Sequence, residues 1–344
     1  MRQFAGIAGF VIASVLSVAA VSNGAAAADA KYVVGVSNTL IGNGWREEMI
    51  CSIKAQALAS GIVSKVVVAN RNGGPSEQIA DLRNLISAGA NVIVLNPSDR
   101  SALDPVIKQA AEKGIVVVAV DQAVTAPEAY VLTNDQVAYG KLGAEWLFKK
   151  LGGKGDVVEM RGIDGVPADA DRHEGFQAAL KEFPDIKVTS SVFTGWALNK
   201  AAEQAKDLIA SGKKIDGIWT SGLDSVVVDA YRTAKVKYVP VVGADNNAFI
   251  GDLMSLKADG LTGAAVTNPP TVGGAGLAVG LDVLQKKDHP HVIHINPEVW
   301  DGDNTDKLKS EYDPKLDPYY SVAIQVKPYT TYTREQLLAC KGPG

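Results

Sequence analysis

The sequence is sparing with most of the residues that do chemistry. Its 344 residues include two cysteines, four histidines and four methionines, and aromatics make up 6%. Two cysteines are too few for a disulfide-rich scaffold. Basic charge is not in excess: Lys and Arg number 34 against 38 Asp and Glu, a formal net charge of −4. That balance argues against a nucleic-acid binder, which usually shows a basic face. The chain has no Walker loop and no Gly-x-Ser-x-Gly elbow. Gly273-Gly274-Ala275-Gly276 lies inside an apolar helical pattern, which argues against a phosphate loop. His289, His291 and His294 sit around Pro290 with no cysteine near, and Asp301 and Asp303 lack EF-hand spacing. Neither a metal site nor a cofactor is expected, and an enzyme is disfavoured.

What is present begins with a targeting signal. Arg2 precedes an apolar stretch from Ala5 to Ala20, and the run Ala25-Ala26-Ala27-Ala28-Asp29-Ala30 follows. Residues 1–30 are predicted to be a signal peptide cleaved after Ala28 or Ala30. The apolar stretch approaches a short membrane span, so an anchor is the alternative; the small-residue end favours cleavage. No cysteine flanks the cleavage site, as a bacterial lipid anchor would require. The mature chain is expected in the periplasm. That compartment permits a Cys51–Cys340 disulfide, tying the first helix to the C-terminal segment; two unpaired buried thiols are the alternative.

From Lys31 onward, short β-branched runs alternate with amphipathic helical stretches. Predicted strands include Tyr32–Ser37, Val92–Leu95, Ile115–Val120, Ile215–Thr220 and Val239–Ala244, with helices such as Trp45–Ser60, Ser101–Lys113 and Ala170–Phe183 between them. Such alternation implies βαβ units with parallel sheets. The expected fold is α/β: two Rossmann-like lobes with parallel sheets, a hinge of several chain crossings, and a ligand in the interlobe cleft. Residues 31–134 plus 270–298 are expected to form the N-terminal lobe and residues 135–269 plus 320–328 the C-terminal lobe. The polar stretch 299–319 reads as a loop insertion, Ser321–Val326 as a last strand, and 329–344 as a C-terminal tail.

Two strands end alike. The run Ile115 to Val120 stops at Asp121-Gln122, and Val241-Val242-Gly243-Ala244 stops at Asp245. A carboxylate at the carboxyl end of a parallel strand falls where open α/β sheets bind ligands. Both aspartates could instead cap the following helices. Trp45 opens a stripe with Met49, Ile53 and Ala57 that could equally be core. Trp196 follows Thr194-Gly195 in a loop, a poor place for a core tryptophan, whereas Trp219 lies in an apolar strand.

These residues and their order resemble a known family. The chain is similar to the periplasmic sugar-binding proteins of ABC importers, the ribose/galactose-binding type with the type I periplasmic-binding-protein fold. The resemblance runs from about Tyr32 to Val326. It rests on Asn43-Gly44-Trp45-Arg46, Asp121, Thr133-Asn134-Asp135, Gly162 with Arg172-His173-Glu174-Gly175-Phe176, Trp196, Val242-Gly243-Ala244-Asp245 and Asn268-Pro269. The lactose-repressor-type regulators share this fold, but a signal peptide stands here in place of a helix-turn-helix. The resemblance implies ligand contacts at Asn43, Trp45, Arg46, Asp121, Gln122, Arg172, Trp196, Asp245 and Asn268, and a hinge at Asn134 and Asp135. It further implies a monomer that delivers a monosaccharide or polyol to ABC permease subunits, or one that serves as a ligand sensor. Sugars suit such a set, because aromatic faces cover C–H surfaces while carboxylates, guanidinium groups and amides bond the hydroxyls. Two departures weigh against ribose. Gln122 stands where the ribose pattern has Arg, and Ser221-Gly222-Leu223-Asp224 lacks its Asn, leaving Asp224 to supply the acid.

Overall fold

The β-branched runs build two sheets, and the chain passes between them four times. The computed structural model describes Met1 and residues 31–344, so the predicted signal peptide lies outside the described residues apart from Met1. The first lobe opens with β1 (Tyr32–Asn38), α1 (Gly44–Ser60), β2 (Val63–Asn70), α2 (Pro75–Ser87), β3 (Val92–Leu95), α3 (Asp104–Glu112), β4 (Val116–Val120) and β5 (Tyr130–Asn134). The chain then crosses into α4 (Gln136–Lys150), β6 (Lys154–Arg161), α5 (Pro167–Glu182), β7 (Asp185–Phe193), α6 (Leu198–Ala210) and β8 (Gly217–Thr220). The second lobe continues through α7 (Asp224–Ala234), β9 (Val241–Ala244), α8 (Asn247–Ser255) and β10 (Gly263–Val266). A second crossing returns to the first lobe with α9 (Val272–Leu284) and β11 (Val292–Ile295). A third reaches β12 (Val299–Asp301) and α10 (Thr305–Glu311), and a fourth leads to α11 (Arg334–Ala339).

The first sheet has the order β11-β5-β4-β3-β1-β2 and the second β12-β10-β9-β8-β6-β7. All pairings are parallel except β12 against β10. Central strands are covered on both faces, which is why they read as unbroken apolar runs: Val92-Ile93-Val94-Leu95 is wholly buried. In each sheet the winding direction reverses beside the first strand of the lobe, between β1 and β3 and between β6 and β8. Crevices open at the carboxyl ends of strands at such switch points, and here the two crevices face each other.

The crossings lie side by side. Asn134 Nδ2 donates to Thr267 O at 2.9 Å, Asp135 N to Ile295 O at 2.9 Å, and Thr267 N to Glu298 O at 2.9 Å. Asp135 also caps α4 by accepting from Ala138 N. Behind the first crossing, α4 and α5 approach to backbone contact. A β-carbon on Gly140 would overlap Arg172 O, and one on Gly175 would overlap Val137 O. Only glycine permits that approach, and it sets how far Arg172 reaches toward the cleft.

Three expectations need correction. The stretch 299–319 is not simply a loop: it holds β12, with Trp300 buried, and α10, with Leu308 buried and Asn304 accepting from Lys307 N as its cap. One apolar residue per turn among charges hid the helix, and a three-residue strand is too short to show periodicity. Ser321–Val326 is not a strand; it makes a single bridge, Asn246 with Ser321. Nor does 320–328 belong wholly to the second lobe, since Val322 packs in that core and Val326 in the core of the first. This segment is the fourth crossing.

Cys51 and Cys340 form a disulfide across 289 residues, and around it Ala55, Tyr332 and Leu337 make a small separate core. Cross-linking so long a loop removes much of the freedom of the unfolded chain. Replacing both cysteines by serine is expected to lower unfolding free energy by about 2–5 kcal/mol in chemical denaturation. Equal stability with and without the bridge would contradict this.

Candidate functional site

Each crevice supplies one wall of a cavity between the lobes. The first lobe contributes Asn43, Trp45 and Arg46 from the start of α1 and Asp121 from the end of β4. The second contributes Arg172 from α5, Trp196 from the turn after β7, and Asp245 from the end of β9; Asn268 comes from the second crossing. Cavity volume is about 70 Å³, several times the roughly 10–15 Å³ that one water needs. Arg46, Asp121, Arg172, Asp245 and Asn268 are each at most 5% exposed, so the charged groups are already withdrawn from water.

Hydrogen bonding fixes each of them. Asp121, held at φ 67°, accepts from Gln136 Nε2 at 2.8 Å on one oxygen and from Asn96 Nδ2 at 3.2 Å on the other. Arg172 donates from Nε to Gln136 Oε1 at 2.8 Å and from Nη1 to Ser221 Oγ at 3.1 Å, with its guanidinium 4.1 Å from the Tyr139 ring centre. Gln136 thus links the acid of one wall to the guanidinium of the other. Arg46 donates to Asn38 Oδ1 at 3.2 Å. Burial lowers its pKa to about 10, against the opposing pull of Asp121, and it stays charged at neutral pH. Asp245 accepts from Asn268 N at 3.0 Å and from Ser321 Oγ at 2.7 Å, and burial pushes its carboxyl up.

The Asn268 amide stands between two sets of partners. In one orientation its oxygen accepts from Asn134 Nδ2 at 3.0 Å and Gln136 Nε2 at 3.3 Å, tying the crossings together. Turned over, its oxygen accepts from Arg172 Nη2 at 2.9 Å and Trp45 Nε1 at 3.2 Å. Both tryptophans are half-buried and held by their indole nitrogens, Trp45 to Asn268 O at 2.6 Å and Trp196 to Ser221 O at 2.8 Å. Gly195 and Trp196 both take positive φ, which turns the indole into the cleft. Asn43 has two duties, capping α1 and donating to Trp196 O across the cavity mouth at 3.2 Å.

Two expected contacts do not reach the cavity. The Gln122 amide donates to Asn96 and to Pro97 O and accepts from Ala168 N at 2.9 Å, so it joins the lobes behind the wall. Asp224 accepts from Ala244 N at 2.7 Å, Ser225 N at 2.8 Å and Asn246 Nδ2; it braces the turn after β9. Sequence reasoning missed Ser221, Tyr319 and Ser321 as lining residues and Gln136 as the link between walls. A serine or tyrosine in a polar stretch carries no signal of its own. For Gln136, its place beside Asn134-Asp135 was a usable hint.

Two α/β lobes with a polar cavity closed between them are the architecture of periplasmic solute-binding proteins. The periplasmic binding protein domain family matches residues 34–288. The chain is 30% identical over 241 residues to the xylitol-binding protein of Mycolicibacterium smegmatis, which covers 68% of each chain. It is 27% identical over 267 residues to the galactofuranose-binding protein of Escherichia coli, covering 75% of this chain and 82% of that one. The crystal structure of an ABC transporter solute-binding protein from Thermobispora bispora superimposes with a TM-score of 0.77 at 28% identity, covering 90% and 94% of the two chains. The chain belongs to the type I periplasmic binding protein family, whose members are non-enzymatic solute-binding proteins. Among the described residues, no helix is long and apolar enough to cross a membrane.

Burial raises four carboxyls in and around the second lobe and the crossings: Asp224 to about 6, Asp252 to about 7, and Asp245 and Glu48 in the same direction. Each holds its proton more tightly folded than unfolded. Their contribution to stability is complete below the ordinary carboxylate range and is lost as pH rises through about 6 and 7. Unfolding free energy of the unliganded protein is therefore expected to rise between pH 7.5 and 5.5, with a flatter profile in Asp224→Asn. A profile that falls toward pH 5.5 would contradict this assignment.

Proposed function

We propose that this protein is the substrate-binding component of an ABC importer, taking up a monosaccharide, a pentose or a hexose, in the periplasm. The observation that carries the reading is the charge balance of the cavity. Two guanidinium groups, Arg46 and Arg172, face two carboxylates, Asp121 and Asp245, with amides and two indoles between them. An anion would need surplus cations and a cation surplus acids. A neutral molecule rich in hydroxyls can use both kinds of group at once, donating to the carboxylates and accepting from the guanidinium groups. The indoles of Trp45 and Trp196 supply apolar faces for its C–H surface. A volume of about 70 Å³ suits a single small ring and leaves no room for a chain of them.

The mechanism follows from the fold. The ligand meets one wall, the lobes rotate about the crossings at Asn134-Asp135, Asn268 and Ser321, and the second wall closes over it. Closure removes water, which strengthens every charged hydrogen bond inside. The closed form is the one that permease subunits receive. A polyol is the second reading, favoured by the likeness to a xylitol-binding protein.

A panel of pentoses, hexoses and polyols tests this by thermal unfolding. At 100 times Kd a true ligand stabilises by about 2.7 kcal/mol and is recovered chemically unchanged; turnover, or no shift with any member, contradicts the reading. Asp121→Ala is expected to abolish the ligand-induced shift. The unliganded fold should lose only about 1–3 kcal/mol, because Asn96 and Gln136 lose an acceptor. Full-strength binding by this variant would show that Asp121 is not a contact.

A further inference from the structure

We propose that Tyr319, carried on the strap Asp313–Tyr320, is a specificity-determining latch: it closes the mouth of the cavity when the lobes meet and limits the ligand to an unsubstituted ring. The proposal rests on the sugar-binding reading above.

The strap moves with the second lobe. Asn247, at the head of α8, donates from Nδ2 to Asp313 O at 2.7 Å and Leu316 O at 3.1 Å, while Ala248 N donates to Pro318 O at 2.8 Å. Three of its residues reach the first lobe: Asp313, Tyr319, and Tyr320, whose hydroxyl lies 4.0 Å from Cys51 Sγ on α1. Asp313 pairs with Arg334 on α11, and α11 belongs to the tail that the Cys51–Cys340 disulfide pins to α1. Tyr319 seats against Gly44, the first residue of α1, so closely that a β-carbon there would lie 2.6 Å from Tyr319 Cβ and 2.7 Å from its carbonyl oxygen. Glycine at position 44 is thus what lets the strap close down on α1.

Tyr319 is also a partition. It borders the ligand cavity of about 70 Å³ and, on its other side, a surface groove of about 530 Å³ between α7 and α8. The residue is 38% exposed, and its loss costs the core little. With the ring removed, cavity and groove join, and a sugar bearing a further group at that end has somewhere to put it. Latching and sieving are separable, because Arg334 holds the strap without touching the cavity.

Stopped-flow tryptophan fluorescence tests both, using the strongest monosaccharide from the panel, its methyl glycoside and a disaccharide containing it. Tyr319→Ala should release the monosaccharide faster and narrow its preference over the methyl glycoside by roughly tenfold, with an unchanged unliganded melting curve. Arg334→Gln should raise the dissociation rate about two- to fivefold and leave the preference as it was. Unchanged rates and preference in Tyr319→Ala would overturn the proposal. If no sugar binds, the functional reading falls, and Gly44→Ala decides the latch. Its β-carbon would overlap Tyr319, so the variant should lift the strap from α1 and speed hydrogen exchange across residues 313–320; unchanged exchange there contradicts the seating.

Discussion

The structure depends on the bridge from Asp121 through Gln136 to Arg172. An acid from the first lobe and a guanidinium from the second are both almost fully buried, and one amide satisfies them together. Two charges withdrawn from water cost several kcal/mol unless their hydrogen bonds are complete. With the lobes together each has partners; with the lobes apart water must supply them. On the proposed function, closure is therefore a matter of polar completion, and a ligand that offers hydroxyls to the same groups adds to it. Positive φ at Asp121 and the glycine contact between α4 and α5 are the local features that hold the two ends of this bridge at the right separation.

Around the bridge, the crossings do more than connect. Asn134, Asn268 and Ser321 each sit on a different crossing, and each is hydrogen-bonded to a neighbouring crossing or to a cavity acid. A rotation of one lobe against the other must rearrange these bonds together, which favours two discrete arrangements over a continuum. The disulfide fits the same scheme. It lies away from the cavity, yet it fixes the tail whose Arg334 reaches across to the other lobe.

Much of the fold was legible because its signals are local. Buried parallel strands write themselves as apolar runs, and Asp121 and Asp245 mark where two of those runs end. The positions of Trp45, Arg172, Trp196 and Asn268 came from the resemblance to the sugar-binding family, carried over residue by residue. What was not legible depends on which way a side chain turns once its element is placed. Gln122 is adjacent to Asp121 yet points behind the wall, toward Ala168. Asp224 opens α7 just after β8 yet is consumed by three donors of its own lobe. Tyr319 enters the cavity from a polar stretch that reads as a loop, because a segment that covers a cleft is polar on both counts, and Ser321 from a run that reads as a strand. The short elements β12 and α10 were hidden for a related reason, their burial resting on Trp300 and Leu308 alone.

On the proposed function, a neutral, hydroxyl-rich ligand draws the two lobes together around the Asp121–Gln136–Arg172 bridge. Small-angle X-ray scattering of the protein with and without the best sugar of the panel reads that movement. The radius of gyration should fall on saturation, and the scattering of the saturated protein should match the structure with its lobes closed. A bound sugar that leaves the radius unchanged from an open value would contradict the claim.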